Sequence, residues 1–502
     1  MLKKSVFTLL CLFFVIVGGR SFFAVEFDGF LRVGLEQYFL ERPQINIYSR
    51  HLELGIFGDG QFHPIGTLAS QSRFSAIPAN MPLARLPATF ATLGEAQSAA
   101  TFFANSAPAW LADGTWGIFI PADYAALVGA ESLPASTSRI ALQADGQLVL
   151  ISENANLRLQ IRDSEGITNL GTRQYRGVIE LARFRGQNLT AVNIIHIDEY
   201  LYSVVPSEMP ALWNIEAVRA QAVAARTFTL HRLATRAAGD YQLCDTVFSQ
   251  VYSGIGREHP YSTQAVRDTR GLVLIYDGQP ILAVYSACAG GHTTNSEDAW
   301  GSPLPYLRAR PELYPSPESM FWQRTITRSQ INQLLNSANI HIGPTVSVEI
   351  ITNDHGRVMQ FIIHGQTGSH TLERENIRNF FNPAPGGGLR SRMFWLNTGE
   401  AAREVRGQRS EYILTANGLV PAPQTLYILD ASGNMTPLTS DPLPLTSTFT
   451  TDAYYIHLSG RGWGHGVGMS QHGARAMADN GHDFRAILGF YYAGAELVNI
   501  GR

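Results

Sequence analysis

The sequence predicts an α+β protein: a β-rich domain with one central helix, joined to an accessory β region and a small α/β insertion. Three observations predict it. Short apolar runs bounded by Gly, Asn and Asp turns recur from Ile140 to Ile195, as expected where sheet packs on sheet or closes into a barrel. One stretch free of Gly and Pro, Leu212 to His231, interrupts that series; Ala, Leu, Arg, Gln and Glu dominate it, with Ile215, Val218, Ala222 and Ala225 at helical spacing. At 502 residues the chain can bury a large core and hold more than one domain.

Met1-Leu-Lys-Lys4 and the apolar run Ser5 to Gly19 have the charged head and short apolar body of a secretory signal. The run is near the lower limit for a membrane span, so residues 1–24 read as a cleaved signal or an uncleaved anchor. The chain is expected outside the cytoplasm, touching a membrane only through this segment. With 38 basic and 41 acidic residues and no basic tract, nucleic acid is not an expected partner. Beyond the signal, Cys244 and Cys288 remain; neither has metal-ligand spacing, and burial or pairing is favoured over reactivity.

Alternation in Leu31 to Leu35 and Ile45 to Tyr48 predicts strands. From about 64 to 137 the chain turns rich in Ala, Ser and Pro. A strand at Phe74 to Ile77, a helix with Leu93, Ala96, Ala100, Phe103 and Ala104 on one face, and a strand at Thr115 to Ile120 are expected there. This pattern is similar to half of a SPOR-type peptidoglycan-binding module, and equally fits a plain α/β insertion. Strands follow at Gln147 to Ile151, Leu157 to Ile161, Tyr175 to Leu181 and Leu189 to Ile195, and later at Val346 to Ile351 and Val358 to Ile363, with a helix near Arg328 to Asn339.

Just before the central helix, Pro206 and Pro210 bracket Ser207-Glu208-Met209, which places a carboxylate on a short stiff turn. Met209, Leu212 and Trp213 beside it would raise the pKa of Glu208 towards that of a general acid. The alternative is a carboxylate capping the positive end of the following helix. Arg219 and Arg226 lie two turns apart on one helix face, with Gln221 elsewhere on that helix. They either bind a carboxylate of the substrate or are solvated or structurally paired.

Further on, Gln250 and Tyr252 are candidate ligand contacts, the tyrosine by stacking or else as a buried structural ring. The run Cys244 to Gly254 carries Phe248 and Ser249 at its middle, and one thiolate does not make a zinc site; neither metal nor other cofactor is expected. Gly290-Gly291 allows close backbone approach beside Ser286, His292 and Thr293. A Ser-His hydrolase is rejected because Ser286 lacks the Gly-x-Ser-x-Gly elbow. Near the C-terminus, glycines stand at every second position from 460 to 468, suiting a loop pressed against another surface. His465, Ser470 and Gln471 sit there at the start of a helix reaching Met477, as cleft residues or as packed core. Both glycine clusters are costly backbone choices, from which His292, His465 and Glu208 are expected to share one groove.

The run Glu199-Tyr-Leu-Tyr-Ser-Val-Val-Pro-Ser-Glu-Met-Pro210 with Gln221 to Thr227, and the block Gly460-Arg-Gly-Trp-Gly-His-Gly-Val-Gly-Met-Ser-Gln-His-Gly-Ala-Arg475, closely resemble the two signatures of the stage II sporulation protein D / LytB family of cell-wall proteins. The resemblance covers about residues 30–60 and 140–500. It implies a catalytic domain of residues 27–63 and 138–318 completed by 451–502, with 64–137 inserted and 319–450 accessory. It implies a lytic transglycosylase acting on peptidoglycan glycan strands, with Glu208 catalytic and Ser286, Gly291, His292 and Thr293 in the cleft. One carboxyl suffices for that chemistry, whereas hydrolysis by the usual route needs a second, for which Asp245 and Glu297 are the candidates. The LytB branch implies a rival reading, a non-catalytic glycan-binding module that stimulates a cell-wall amidase.

Overall fold

A computed structural model describes residues 28–153, 158–235, 239–397 and 455–501, together with the backbone of short strands outside those ranges. The signal-like segment and most of 398–454 lie outside the described residues. Among the described residues no helix is long and apolar enough to cross a membrane. The fold is mixed α/β and β-rich. It divides into two compact units, residues 1–282 with 496–502, and residues 283–495. The division falls at 282/283, and the last strand returns to the first unit.

Two sheets make up most of the first unit. Seven strands run in the order Leu243–Cys244, Phe30–Gly34, Thr190–His196, Val178–Ala182, Leu159–Asp163, His51–Gly58 and Gln61–Ala69. The run read as one strand from Tyr175 to Leu181 is broken by Gly177 at φ +74°, and its two halves enter different sheets. Gly177 is required there, since a Cβ would drive into the Ile194 carbonyl. The second sheet has ten strands. Its edge holds Glu131–Leu133, Leu83–Arg85, Trp116–Pro121 and Ala107–Trp110, and it continues without interruption through Gln147–Ser152, Ile140–Ala144, Phe74–Pro78 and Ile45–Tyr48.

The expected insertion, 64–137, lies within that continuous sheet. The predicted strand, helix and strand do form, at Phe74–Pro78, Leu93–Ala100 and Trp116–Pro121. They are not a separate module, however: Phe74–Pro78 pairs with Ile140–Ala144 and with Ile45–Tyr48, and Ala107, Ala109 and Phe119 share one apolar core with Ala141 and Ile151. The segment extends the sheet of its host.

The central helix, Ile215–Thr235, is buried almost all round, including Val218, Ala222, Ala225 and Thr229. Its small side chains let neighbours approach closely; helices Ile197–Glu208 and Pro260–Asp268 and strand Leu272–Tyr276 pack against it. In the second unit, Val348, Ile350, Phe361, Phe381 and Phe394 gather one core beneath strands Thr345–Thr352 and Val358–Gly365, with helix Arg328–Ser337 laid against it.

Candidate functional site

Glu208 is the last residue of helix Ile197–Glu208, which contains Pro206. The stiff-turn expectation is thus corrected, and so is the cap: the carboxylate stands at the C-terminal end of one helix, not at the N-terminus of the next. The reason is local. The preceding apolar residues Tyr200, Leu201, Val204 and Val205 are buried at helical spacing, and the helix tolerates Pro206 in its last turn, where only the bond to the Tyr202 carbonyl is lost. The Met209 N–H still reaches the Val205 carbonyl at 2.9 Å.

Glu208 is half-buried, beside the fully buried Met209. Burial raises its pKa above the ordinary glutamate value, partly opposed by the Val251 N–H, which donates to Oε1 at 3.0 Å. The helix C-terminus acts in the same direction as burial, since its partial charge is negative. Among the described residues no cation pairs with Glu208. The two arginines of the central helix are engaged elsewhere. Arg219 pairs with Glu216 and Asp268. Arg226 is buried, donating to the Thr269 carbonyl at 2.8 Å and to Asp198 at 3.3 Å.

The ring cluster behind Glu208 is packed. The Tyr252 hydroxyl donates to Asn193 Oδ1 at 2.7 Å, and its ring lies 5.1 Å from that of Tyr200. With Tyr252 only 2% exposed, its faces are closed and the structural alternative describes it. Gln250 accepts from the Thr229 hydroxyl at 2.8 Å and the Tyr200 hydroxyl at 3.3 Å, and Gln221 is fully buried. Asp245 feels the same surroundings: burial pushes it up to about 6, against the Gln37 N–H on Oδ1. It is 1% exposed, which closes it to a substrate.

The remaining candidates belong to the second unit, where two glycine-rich segments pair. Tyr285–Ser286 runs parallel to Met469–Ser470, and Cys288 and Trp463 exchange backbone hydrogen bonds at 3.1 and 2.9 Å. A Cβ on Gly462 would stand 2.7 Å from the Cys288 carbonyl oxygen, and one on Gly464 the same distance from Ser286 Cβ. This close approach is what the alternating glycines permit. Ser470 caps helix Gln471–Asp479 through the Gly473 N–H at 3.2 Å and also accepts from the Ala289 N–H at 3.2 Å. Gln471 is buried. Thr293 Oγ accepts the Arg310 N–H at 2.8 Å, and Gly291 N–H donates to Glu312 at 2.7 Å.

His292 stacks on His355 at 3.8 Å and donates its Nδ1–H to the Thr293 carbonyl, 2.7 Å away. His465 packs 5.2 Å from the Trp300 ring. Burial depresses both imidazoles to about 4, so they are neutral near pH 7. Arg357 went unnoticed in the sequence because a lone arginine after a Gly turn has no signature. It is 1% exposed and donates to the Ala289 and His292 carbonyls at 2.8 and 2.9 Å, with the His465 carbonyl at 3.5 Å. One side chain thus fastens both histidine-bearing loops. Glu297 forms a two-pronged pair with Arg308. Both cysteines are free and buried, and burial pushes Cys288 up to about 11.

Residues 185–276, which contain the Glu208 helix and the central helix, match the family model described as SpoIID, stage II sporulation protein. The resemblance seen in the sequence holds: the family model falls on the first of the two motifs. It is 29% identical over 304 residues to the amidase enhancer of Bacillus subtilis, spanning 60% of this chain and 40% of that protein. An uncharacterized protein of Brachyspira hyodysenteriae is 27% identical over 315 residues, 62% of this chain and 70% of its own length. The stage II sporulation protein D of Bacillus subtilis is 28% identical over 338 residues, 64% of this chain and 79% of that protein. The chain thus spans less than half of the amidase enhancer that it matches.

Proposed function

We propose that this protein acts on the cell wall outside the cytoplasm, as a lytic transglycosylase that cleaves the bond between N-acetylmuramic acid and N-acetylglucosamine in peptidoglycan. The observation that carries this reading is Glu208: a half-buried carboxyl with a raised pKa, one N–H on Oε1 and no paired cation among the described residues. Such a group holds its proton at a pH where an exposed glutamate has lost it. Glu208 protonates the glycosidic oxygen, the bond breaks through an oxocarbenium-like state, and the carboxylate then takes the proton of the muramyl C6 hydroxyl as that oxygen closes on C1. The products are a 1,6-anhydro end and a free leaving sugar. The closure of Asp245 to solvent supports a route with one carboxyl rather than two.

A second reading is favoured by one finding, the relative named amidase enhancer. There the protein binds glycan and stimulates a cell-wall amidase without cleaving anything itself. Incubating purified peptidoglycan with the wild type and Glu208→Gln separates the two. The transglycosylase reading expects anhydro-muropeptides from the wild type alone. Equal amidase stimulation by both proteins, with no anhydro product from either, would establish the second reading instead.

A further inference from the structure

From 460 to 465 the alternating block sorts its residues onto two sides, whereas Val467 further on is fully buried. Its glycines face inward, where a Cβ on Gly460, Gly462, Gly464 or Gly466 would run into Trp322, Cys288, Ser286 or Arg357. The residues between them face outward: Arg461 is exposed, Trp463 is 48% exposed, and His465 is half-buried. The row is extended by neighbours from other segments. The Arg390 guanidinium lies over the Trp463 ring, 4.8 Å from its centroid, and that of Arg461 over Trp395 at 5.8 Å. Trp300, itself 43% exposed, stands beside His465. Among the described residues neither Arg390 nor Arg461 has a carboxylate partner.

A large exposed indole with an unpaired guanidinium on one face is an expensive surface for a protein to present without a use. Its chemistry is specific. The indole offers a flat apolar face for the C–H surface of a pyranose ring, and the guanidinium offers a fork of donors for a carboxylate. The aromatic ring also holds the cation in place before any ligand arrives. The other arginines considered as carboxylate binders, Arg219 and Arg226, already have acidic partners.

We infer that Arg390, Trp463 and Arg461 form a subsite for a saccharide that carries a carboxylate. The inference rests on the glycan-binding reading above, shared by both of its forms, and not on cleavage. In a cell-wall strand the carboxylate belongs either to the lactyl ether of a sugar freed of its peptide or to the stem peptide itself.

The test measures affinity in the full-length Glu208→Gln background, so that cleavage plays no part. The probes are a peptide-free muramyl-containing tetrasaccharide, the same tetrasaccharide bearing stem peptides, and the neutral N-acetylglucosamine tetramer. Arg390→Gln and Arg461→Gln should each weaken a carboxylate-bearing probe about threefold and together about tenfold, as for exposed charge pairs. The neutral tetramer should be unaffected by these changes, and Trp463→Ala should weaken all three probes. The carboxylate source follows from which charged probe shows the loss. Unchanged affinity of both charged probes in the double variant, with an unchanged melting temperature, overturns the subsite. If the arginine effects appear but wild-type protein yields no anhydro product, the subsite stands and the transglycosylase reading falls.

Discussion

Glu208 links stability to chemistry. Its folded pKa lies above the ordinary value of 4.5 because of burial, so the folded protein binds this proton more tightly than the unfolded chain. Stability contributed by the protonated form is full below about pH 4.5 and is lost as pH rises through the folded value. Glu208→Gln keeps an oxygen for the Val251 N–H and removes the charge. Thermal melts should therefore show the variant more stable by about 0.5–2 kcal/mol at pH 8, with the gain shrinking towards pH 4; a variant less stable than wild type at pH 8 would contradict the burial argument. Cleavage should follow the same titration in the same direction, falling as pH rises through the raised pKa because the acid has then lost its proton. His292 and His465, depressed to about 4, are already neutral near pH 6.5, so neither should add a step there. The Cys244 thiol meets the hydroxyls of Thr246 and Ser249, at 3.2 and 3.4 Å, and these make poor ligands for zinc. Cleavage is accordingly expected to survive exhaustive chelation; loss with EDTA that zinc restores would refute this.

Among the elements, the glycine-rich block is the most exacting. Gly462 has φ +82° and would press a Cβ against the Cys288 carbonyl, whereas Gly481, at φ +89°, has open space around that position. Gly481→Ala should cost about 1 kcal/mol of backbone strain alone, and Gly462→Ala about 2 kcal/mol or more. Comparable losses at the two sites would show that loop pairing is loose. The block was legible in the sequence as a loop pressed on a surface, because the period-two glycines disfavour a regular strand, although Gly460 and Arg461 end the strand Tyr455–Arg461. Its partner was only half legible: Gly290-Gly291 marked a close approach, but nothing in the chain pointed to Arg357, whose bonds to the Ala289 and His292 carbonyls join residues far apart in sequence. The helix end at Glu208 was misread for a similar reason. Two prolines four apart look like a turn, and only the buried face of Tyr200, Leu201, Val204 and Val205 shows that the helix runs through the first of them.

For the whole molecule, composition and strand rhythm were enough for a β-rich α+β chain with one central helix, since each rests on local pattern. Where the units divide was not, because strand pairing is non-local: Phe74–Pro78 joins residues 45–48 to 140–144 in one sheet, and Glu496–Asn499 returns to Leu272–Tyr276. Glu208 belongs to the first unit and the paired histidine loops to the second. The central claim concerns one proton. Mass spectrometry of the fragments released from peptidoglycan at pH 6 tests it most directly: the wild type should yield 1,6-anhydro-muramyl ends and Glu208→Gln at least about a hundredfold fewer, the loss expected when a general acid is removed. Anhydro ends released by Glu208→Gln at the parental rate would contradict it.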